Sequence, residues 1–556
     1  MKVTANVLLN YIRCRRFASL NDPDSDIRNQ EFEVHSKNYF QEYLNIFKHI
    51  FEKEFTFKEI NKELTYDFHN DIVLSEDYHF VVDNQGIEEI YILVPQTSRN
   101  LTKLKYKSQK HRYQMFNKDK LGFLCLNKKN IIDTSNYNKK INKLKDRHDD
   151  LGRVIYKYAF KRYIYDLVNP KKNTKIYFVL LNSDYIHDGK KYTKQLFSIF
   201  DFSGLYIYFD DVIEADIYRM INHIELDDFT PCDLIKKECN KDDSFECKFV
   251  DFCFSHLPKN NSILNYFHAH TGFAEPDKEG DIHHDVYDLI NEGKVSMEDI
   301  PISWIKDEKH LMQRYCSESN YIHIHKEKIK AALKTLKFPL IYLDFEALPC
   351  LLPRYKGERP YSQSVFQYSI HIQFKDSTLK LDDKNHYEFL ANPEFDNRKE
   401  LVKSMISLVN KYDSSIIVFH KTFEEQRLRE LQEIFPEYRD DLQNILDRIF
   451  DLLDIVRNNK KLYKKLGFND ADTNRYNFYS RELNGSYSLK KVIKVFNREA
   501  YENLEIKDGV DAYKAYLTLT NLDQIERDKT MKNLLEYCKQ DTYSMYEIIE
   551  GLKKYL

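Results

Sequence analysis

The run Phe338-Pro-Leu-Ile-Tyr-Leu-Asp-Phe-Glu346 constrains the fold more than any other segment of this chain. An apolar stretch of this length reads as a strand buried in a sheet. Alternation along a strand puts Asp344 and Glu346 on one face, about 7 Å apart. Two carboxylates at the end of a buried strand repel each other unless a cation lies between them. Hard divalent ions with oxygen ligands meet that need. From this run to Leu556, strand and helix patterns alternate, which predicts an α/β domain over 336–556.

The chain has 556 residues, too many for one ordinary core, so two or more domains are expected. Hydrophobic residues at 42% and aromatics at 14% exclude intrinsic disorder. A net charge of −3 excludes a generally basic nucleic-acid coat. No run approaches the ~18 apolar residues of a membrane span, and the first residues lack the apolar core and cleavage site of a signal peptide. The expectation is a soluble cytoplasmic protein that does not enter membranes. Charge is nevertheless uneven: Lys103–His148 carries 14 Lys/Arg against Asp119, Asp133 and Asp146, a net of +11. Tyr106, Tyr113, Phe116 and Tyr137 are interleaved with those bases. Cations plus flat rings suit a single nucleic-acid strand, with Lys103, Lys105, Lys107, Lys110 and Arg112 as candidate phosphate contacts. The alternative is a solvated basic insertion over 100–150.

Two further stretches carry acids in the C-terminal half. Ser415-Ile-Ile-Val-Phe-His-Lys-Thr-Phe-Glu424 reads as an apolar strand ending at His420, with Glu424 opening a helix. A helix start favours a carboxylate through the helix dipole. Glu536-Tyr-Cys-Lys-Gln-Asp541 has helical periodicity, with Tyr537 and Asp541 one turn apart. D-x-E, then H-x-x-F-E, then Y-x-x-x-D, in order over about 200 residues, resemble the three motifs of the DEDD exonuclease superfamily. These are relatives of the RNase H fold, here in the tyrosine-using subgroup. The resemblance implies a mixed sheet flanked by helices and 3′–5′ exonuclease activity on DNA, ranked ahead of RNA. It makes Asp344, Glu346, Glu424 and Asp541 ligands of two divalent cations, Mg²⁺ or Mn²⁺, about 4 Å apart. Tyr537 would orient the attacking water. The family usually has Asp where this chain has Glu424, and Asn where it has Lys421. Pro349–Gln373 and Asn484-Gly-Ser-Tyr-Ser-Leu-Lys-Lys-Val492 also resemble a bacterial two-domain family, common in mollicutes, with a domain-of-unknown-function label. Ser488 is a credible helix cap there, and Lys356 and Arg359 are either phosphate contacts or solvated surface.

The N-terminal half, 1–275, holds a cysteine cluster. Cys232, Cys239, Cys247 and Cys253 fall within 22 residues, a pattern that suits metal better than disulfides in a reducing compartment. Val3-Thr-Ala-Asn-Val-Leu-Leu-Asn-Tyr-Ile-Arg-Cys-Arg-Arg-Phe17 resembles the opening of RecB-type nucleases stapled by a [4Fe–4S] cluster. That resemblance implies a restriction-endonuclease-like α/β domain with Cys14, Cys239, Cys247 and Cys253 as cluster ligands; a zinc site on Cys232, Cys239, Cys247 and Cys253 is the alternative. Where such nucleases carry their catalytic Glu and Lys, this chain reads Ile90-Tyr-Ile-Leu-Val-Pro-Gln-Thr-Ser98, with Leu93 and Pro95 in those places. Proline lacks a backbone donor and suits an edge or bulge. A degenerate nuclease fold is therefore expected, joined by a helical connector over 276–335 to the exonuclease-like domain. The rival reading is a nucleic-acid-binding scaffold in which both nuclease sites are inactive.

Overall fold

The computed structural model describes residues 1–14, 30–69, 72–128, 131, 134–206, 208–226, 239, 253–268, 273–319 and 321–556. The chain is mixed α/β and forms two compact units: Met1–Val250 with Cys350–Ser362, and Asp251–Pro349 with Gln363–Leu556. Among the described residues, no helix is long and apolar enough to cross a membrane.

The first unit is built on one eight-stranded sheet. Its strands are β1 (Lys2–Val3), β2 (Phe57–His69), β3 (Ile72–Asn84), β4 (Ile87–Thr97), β7 (Phe116–Lys118), β8 (Leu124–Leu126), β9 (Thr174–Leu181) and β10 (Phe197–Asp201). A separate hairpin, β5 (Lys105–Ser108) and β6 (His111–Gln114), lies between β4 and β7 in the chain. Strands β4 and β9 pair in parallel at the centre, and both are continuous apolar runs because both sheet faces are covered. Ile90, Ile92, Ile176, Phe178 and Leu180 point to one core, which α1 (Ala5–Arg13), α3 (Thr134–Lys145), α4 (Asp150–Val168) and α5 (Asp210–Glu225) cover. Tyr91, Leu93, Tyr177, Val179 and Leu181 point to the other, under Tyr43, Leu44, Phe47 and Phe51 of α2 (Gln30–Phe51). The β4–β9 ladder breaks between Leu93 and Thr97, where Pro95 has no N–H to give. The Pro95 carbonyl instead takes the Tyr361 hydroxyl.

The segment Cys350–Ser362, expected from the sequence in the exonuclease-like domain, belongs to this first unit. Leu352 is buried in the α2 core, and Glu358, itself buried, accepts the N–H groups of Arg354 (2.7 Å) and Tyr355 (3.0 Å).

In the second unit the five-stranded sheet comprises β11 (Leu340–Pro349), β12 (Gln363–Gln373), β13 (His386–Leu390), β14 (Ile416–Val418) and β15 (Ile449–Asp451), in the order β13-β12-β11-β14-β15. The first three pair antiparallel, and β11, β14 and β15 run parallel. Odd-numbered residues of β11 (Ile341, Leu343, Phe345) pack against α6 (Arg398–Val409), α7 (Thr422–Ile434) and α8 (Arg439–Asp447). The opposite face meets α12 (Gln524–Lys553): Gln367 Nε2 donates to the Leu534 carbonyl at 2.8 Å, and Ser369 shares a hydrogen bond with Thr542 at 2.9 Å.

Residues 276–335, read from the sequence as a helical connector, fall within the second unit, which begins at Asp251. That stretch belongs to the second unit, as a hairpin (Phe273–Glu275 with Ile282–His284) and short helices such as Val286–Asn291 and Glu308–Glu318. Just before it, Phe267 of the same unit stacks on Tyr476 and Tyr487, with ring centroids 5.1 and 5.6 Å away.

Candidate metal centre

Strand β11 delivers Asp344 and Glu346 to the face covered by α12, and α12 delivers Tyr537 and Asp541. One carboxylate oxygen each from Asp344, Glu346 and Asp541 lie within 4.8 Å of one another. Glu424 stands outside that trio, in the first turn of α7, yet near enough for its charge to act on Asp344 and Glu346. Its position is set from below. His420 takes a left-handed backbone (φ 70°), and the buried Asp451 carboxylate accepts the N–H groups of His420 (2.9 Å) and Lys421 (3.1 Å). Asp451 also caps α9 (Leu452–Val456) through the Leu453 N–H at 3.0 Å. One acid thus fixes the turn that leads into Glu424.

All four acids are held above the usual carboxylate range. Burial comes first for each, and repulsion from neighbouring acids adds to it for Asp344, Glu346 and Glu424. Asp344 is held well above the usual carboxylate range, by burial and then by Asp541, Glu346 and Glu424. Burial pushes Glu346 up to about 8, with Asp541 adding to it, and Glu424 up to about 8, with Asp451 adding to it. Asp541 reaches only about 6, because hydrogen bonds from Tyr501 and Tyr537 and the charge of Lys490 work against its burial. Glu424 is 3% exposed, and its Oε2 has no hydrogen-bond partner. A buried acid oxygen left unsatisfied beside three crowded carboxylates fits a site for hard divalent cations.

Three neighbours of the acids have no signature in the sequence motifs. Tyr501 donates its hydroxyl to Asp541 Oδ1. Cys538, buried, lies with its Sγ 3.5 Å from Asp344 Oδ2. Lys490, in the first turn of α10 (Leu489–Phe496), donates to the Tyr537 hydroxyl at 3.1 Å. Lys490 and Cys538 sit within the stretches singled out from the sequence, at positions to which those patterns assign no role, whereas Tyr501 lies in a loop without periodicity. Ser488 occupies the cap position of α10, but its side chain makes no cap hydrogen bond. The start of α11 (Gly509–Thr518) lies against the site: a Cβ at Gly509 would be 3.4 Å from Glu346 Oε2.

The other candidates fall in the first unit, except Cys253, which belongs to the second. Cys14 closes α1, its N–H donating to the Asn10 carbonyl at 2.9 Å. Cys239 and Cys253 are half-buried, and Cys232 and Cys247 lie outside the described residues. Among the described residues, the Asp344–Glu346–Asp541 trio is the only close group of three or more acidic, His or Cys side chains. Of the acids upstream of Leu93 and Pro95, Asp83 pairs with Lys58 at 2.7 Å and Asp77 is exposed. Lys103, Lys105, Lys107, Lys110 and Arg112 are all exposed on or beside the β5–β6 hairpin. The interleaved rings do not join them. Tyr106, Phe116 and Tyr137 are buried in the core, and Tyr113 is half-buried and stacks on Tyr106 at 5.7 Å. The interleaving is strand alternation, with bases out and rings in. Lys356 and Arg359 belong to the first unit, where Arg359 reaches the Asp184 carbonyl at 3.4 Å.

Residues 341–488 match a family described as a domain of unknown function, DUF2779. The chain is 29% identical over 241 residues to the uncharacterised protein MG366 of Mycoplasma genitalium, covering 40% of this chain and 33% of that protein. It is 25% identical over 258 residues to the uncharacterised protein UU173 of Ureaplasma parvum, covering 43% and 34%. An uncharacterised homologue of MG366 in Mycoplasma pneumoniae is 24% identical over 284 residues, covering 48% and 40%. The matches therefore span well under half of each relative's length. No solved structure matches the chain. The family match contains Asp344, Glu346 and Glu424 and ends before Lys490, Tyr537 and Asp541.

Proposed function

We propose that the second unit is a divalent-metal-dependent phosphodiesterase, a 3′–5′ exonuclease of the tyrosine-using DEDD type acting on DNA or RNA strands. One observation carries this reading: Asp344, Glu346 and Asp541, from two stretches far apart in the chain, bring carboxylate oxygens within 4.8 Å, with Tyr537 one turn before Asp541 on α12. The strand order, with β12 alone running against the others, supports an RNase H-like sheet.

The acids Asp344, Glu346, Glu424 and Asp541 would hold two cations, Mg²⁺ or Mn²⁺. When bound, these supply the positive charge that activates water and stabilises the leaving oxygen. The protein's own groups do the rest. Asp344 is shared at the centre of the acids, Glu346 and Tyr537 orient the attacking water, and α12 closes the face against bulk solvent. The water oxygen bonds to phosphorus, and the bond to the 3′ oxygen of the preceding nucleotide breaks. That oxygen gains a proton from solvent, the water loses one, and a 5′-mononucleotide leaves.

The first unit, in this reading, is a RecB-like nuclease fold that has lost its catalytic Glu and Lys and serves to bind the strand. Leu93 and Pro95 at a broken ladder support that loss. The cysteines Cys14, Cys239, Cys247 and Cys253 would be the ligands of a [4Fe–4S] cluster. Protein purified without oxygen should then be brown, whereas colourless protein with stoichiometric zinc would favour the zinc alternative.

The test is incubation of labelled single- and double-stranded DNA and RNA with Mg²⁺, Mn²⁺ or EDTA. Metal-dependent release of mononucleotides is expected, and Asp344→Ala and Asp541→Ala should each lower it by at least 10³-fold with the fold intact. Undiminished cleavage by the double variant removes the assignment from this site. The position of Glu424 outside the trio favours a binding-only protein instead, and turnover by the wild type rejects that alternative.

A further inference from the structure

Lys490 enters the acid cluster from a helix that none of the three motifs includes. Its approach is fixed by close helix packing: a Cβ at Gly551 of α12 would lie 2.3 Å from Phe496 Cδ1 of α10, so only glycine lets the two helices come this near. The ammonium donates to the Lys507 carbonyl and to the Tyr537 hydroxyl, the latter at 3.1 Å. It also sits 4.8 Å from the centroid of the Tyr537 ring and 5.5 Å from that of Tyr501, within cation–π range.

A phenol has one hydrogen to give and two lone pairs to accept with. Lys490 has no acceptor, so it must take one lone pair of Tyr537 Oη. The hydrogen of Tyr537 is then turned away from Lys490, toward the acids, of which Asp541 stands one turn on along the same helix. One lone pair remains, and it can only accept.

We propose that Lys490 is a positioning residue: by donating to Tyr537 Oη it turns the phenol's hydrogen toward the acids and leaves one lone pair to accept a hydrogen of the attacking water. This rests on the phosphodiesterase reading above. A residue acting through Tyr537 alters turnover rather than substrate affinity, and its loss is masked once Tyr537 is gone.

The experiment compares wild type, Lys490→Met, Lys490→Arg, Tyr537→Phe and the Lys490→Met/Tyr537→Phe double variant. It measures single-strand hydrolysis with Mn²⁺, and Mn²⁺ affinity by electron paramagnetic resonance. Lys490→Met should lower kcat about tenfold to a hundredfold, the scale of a misoriented reactant, with KM within about twofold. Lys490→Arg, which keeps the donor, should recover part of that loss. The double variant should be no slower than Tyr537→Phe, and Mn²⁺ should bind Lys490→Met at least as tightly as wild type, since a repelling charge has gone. The proposal is overturned by an unchanged kcat, by losses that multiply in the double variant, by a rise in KM alone, or by loss of Mn²⁺ binding in both Lys490 variants. A wild type that binds Mn²⁺ but hydrolyses nothing overturns the phosphodiesterase reading itself and the Lys490 role with it.

Discussion

At the scale of single residues, the acids of the site are placed against their own ionisation, and that has a measurable sign. Glu346 and Glu424 have folded-state pKa values near 8, raised by burial from an ordinary 4.5. A carboxyl group raised in the folded state contributes stability that is complete below its unfolded value and is lost as pH rises through the folded one. The metal-free protein should therefore lose melting temperature between about pH 5 and pH 8, and Mn²⁺ should restore more of it at pH 8 than at pH 5.5. Glu346→Gln, which removes the ionisation, should raise the metal-free melting temperature at pH 8 and shrink the Mn²⁺ increment. A metal increment that is the same at every pH, and unaltered in Glu346→Gln, would sink this account. The acids themselves were legible in the sequence, because strand and helix periodicity alone put Asp344 with Glu346 and Tyr537 with Asp541. Tyr501 and Lys490 were not. What brings Lys490 in is α10, whose Phe496 packs on Gly551, and a glycine in a helix announces close packing without saying against what.

At the scale of elements, the β14–α7 turn shows how a strand end is made into a rigid support. Phe419 to Lys421 must reverse from strand to helix in three residues, and His420 does so with a positive φ that costs a side-chain-bearing residue some strain. Asp451 offsets that cost by accepting the N–H groups of His420, Lys421 and Leu453. Asp451→Ala would leave three backbone donors without this carboxylate, two of them in the turn that carries Glu424. We expect a loss of about 2–4 kcal/mol in urea denaturation, together with weaker Mn²⁺ binding. A variant that unfolds more easily yet binds Mn²⁺ as before would mean that the turn does not govern Glu424. The strands and helices here were readable from apolar periodicity, including the helix that Glu424 opens. The membership of Cys350–Ser362 was not, because a short loop between two paired strands gives no sign that Leu352 belongs to another core.

At the scale of the whole molecule, the proposed binding of a strand by the first unit would rest on charge. On the β5–β6 hairpin, Lys107 stands directly opposite Arg112, an arrangement of like charges that destabilises a strand pair unless an anion lies over it. Lys103, Lys105 and Lys110 extend the same exposed basic surface. With Tyr106, Phe116 and Tyr137 committed to the core, base stacking is not part of what these five residues can supply, so their contribution is to phosphates alone. Each phosphate they neutralise releases roughly 0.7 counterion from a single strand. Binding of single strands to the Asp344→Ala protein, which should not degrade them, isolates this term. Its affinity should fall linearly with the logarithm of salt concentration. Changing Lys103, Lys105, Lys107, Lys110 and Arg112 together to Gln should reduce that slope by roughly 0.7 for every phosphate the hairpin no longer neutralises. Because phosphates carry no base identity, the reduction should be equal for strands of different base sequence. If the five-fold variant keeps the parent's salt dependence, the hairpin is a solvated insertion and the strand is held by other residues.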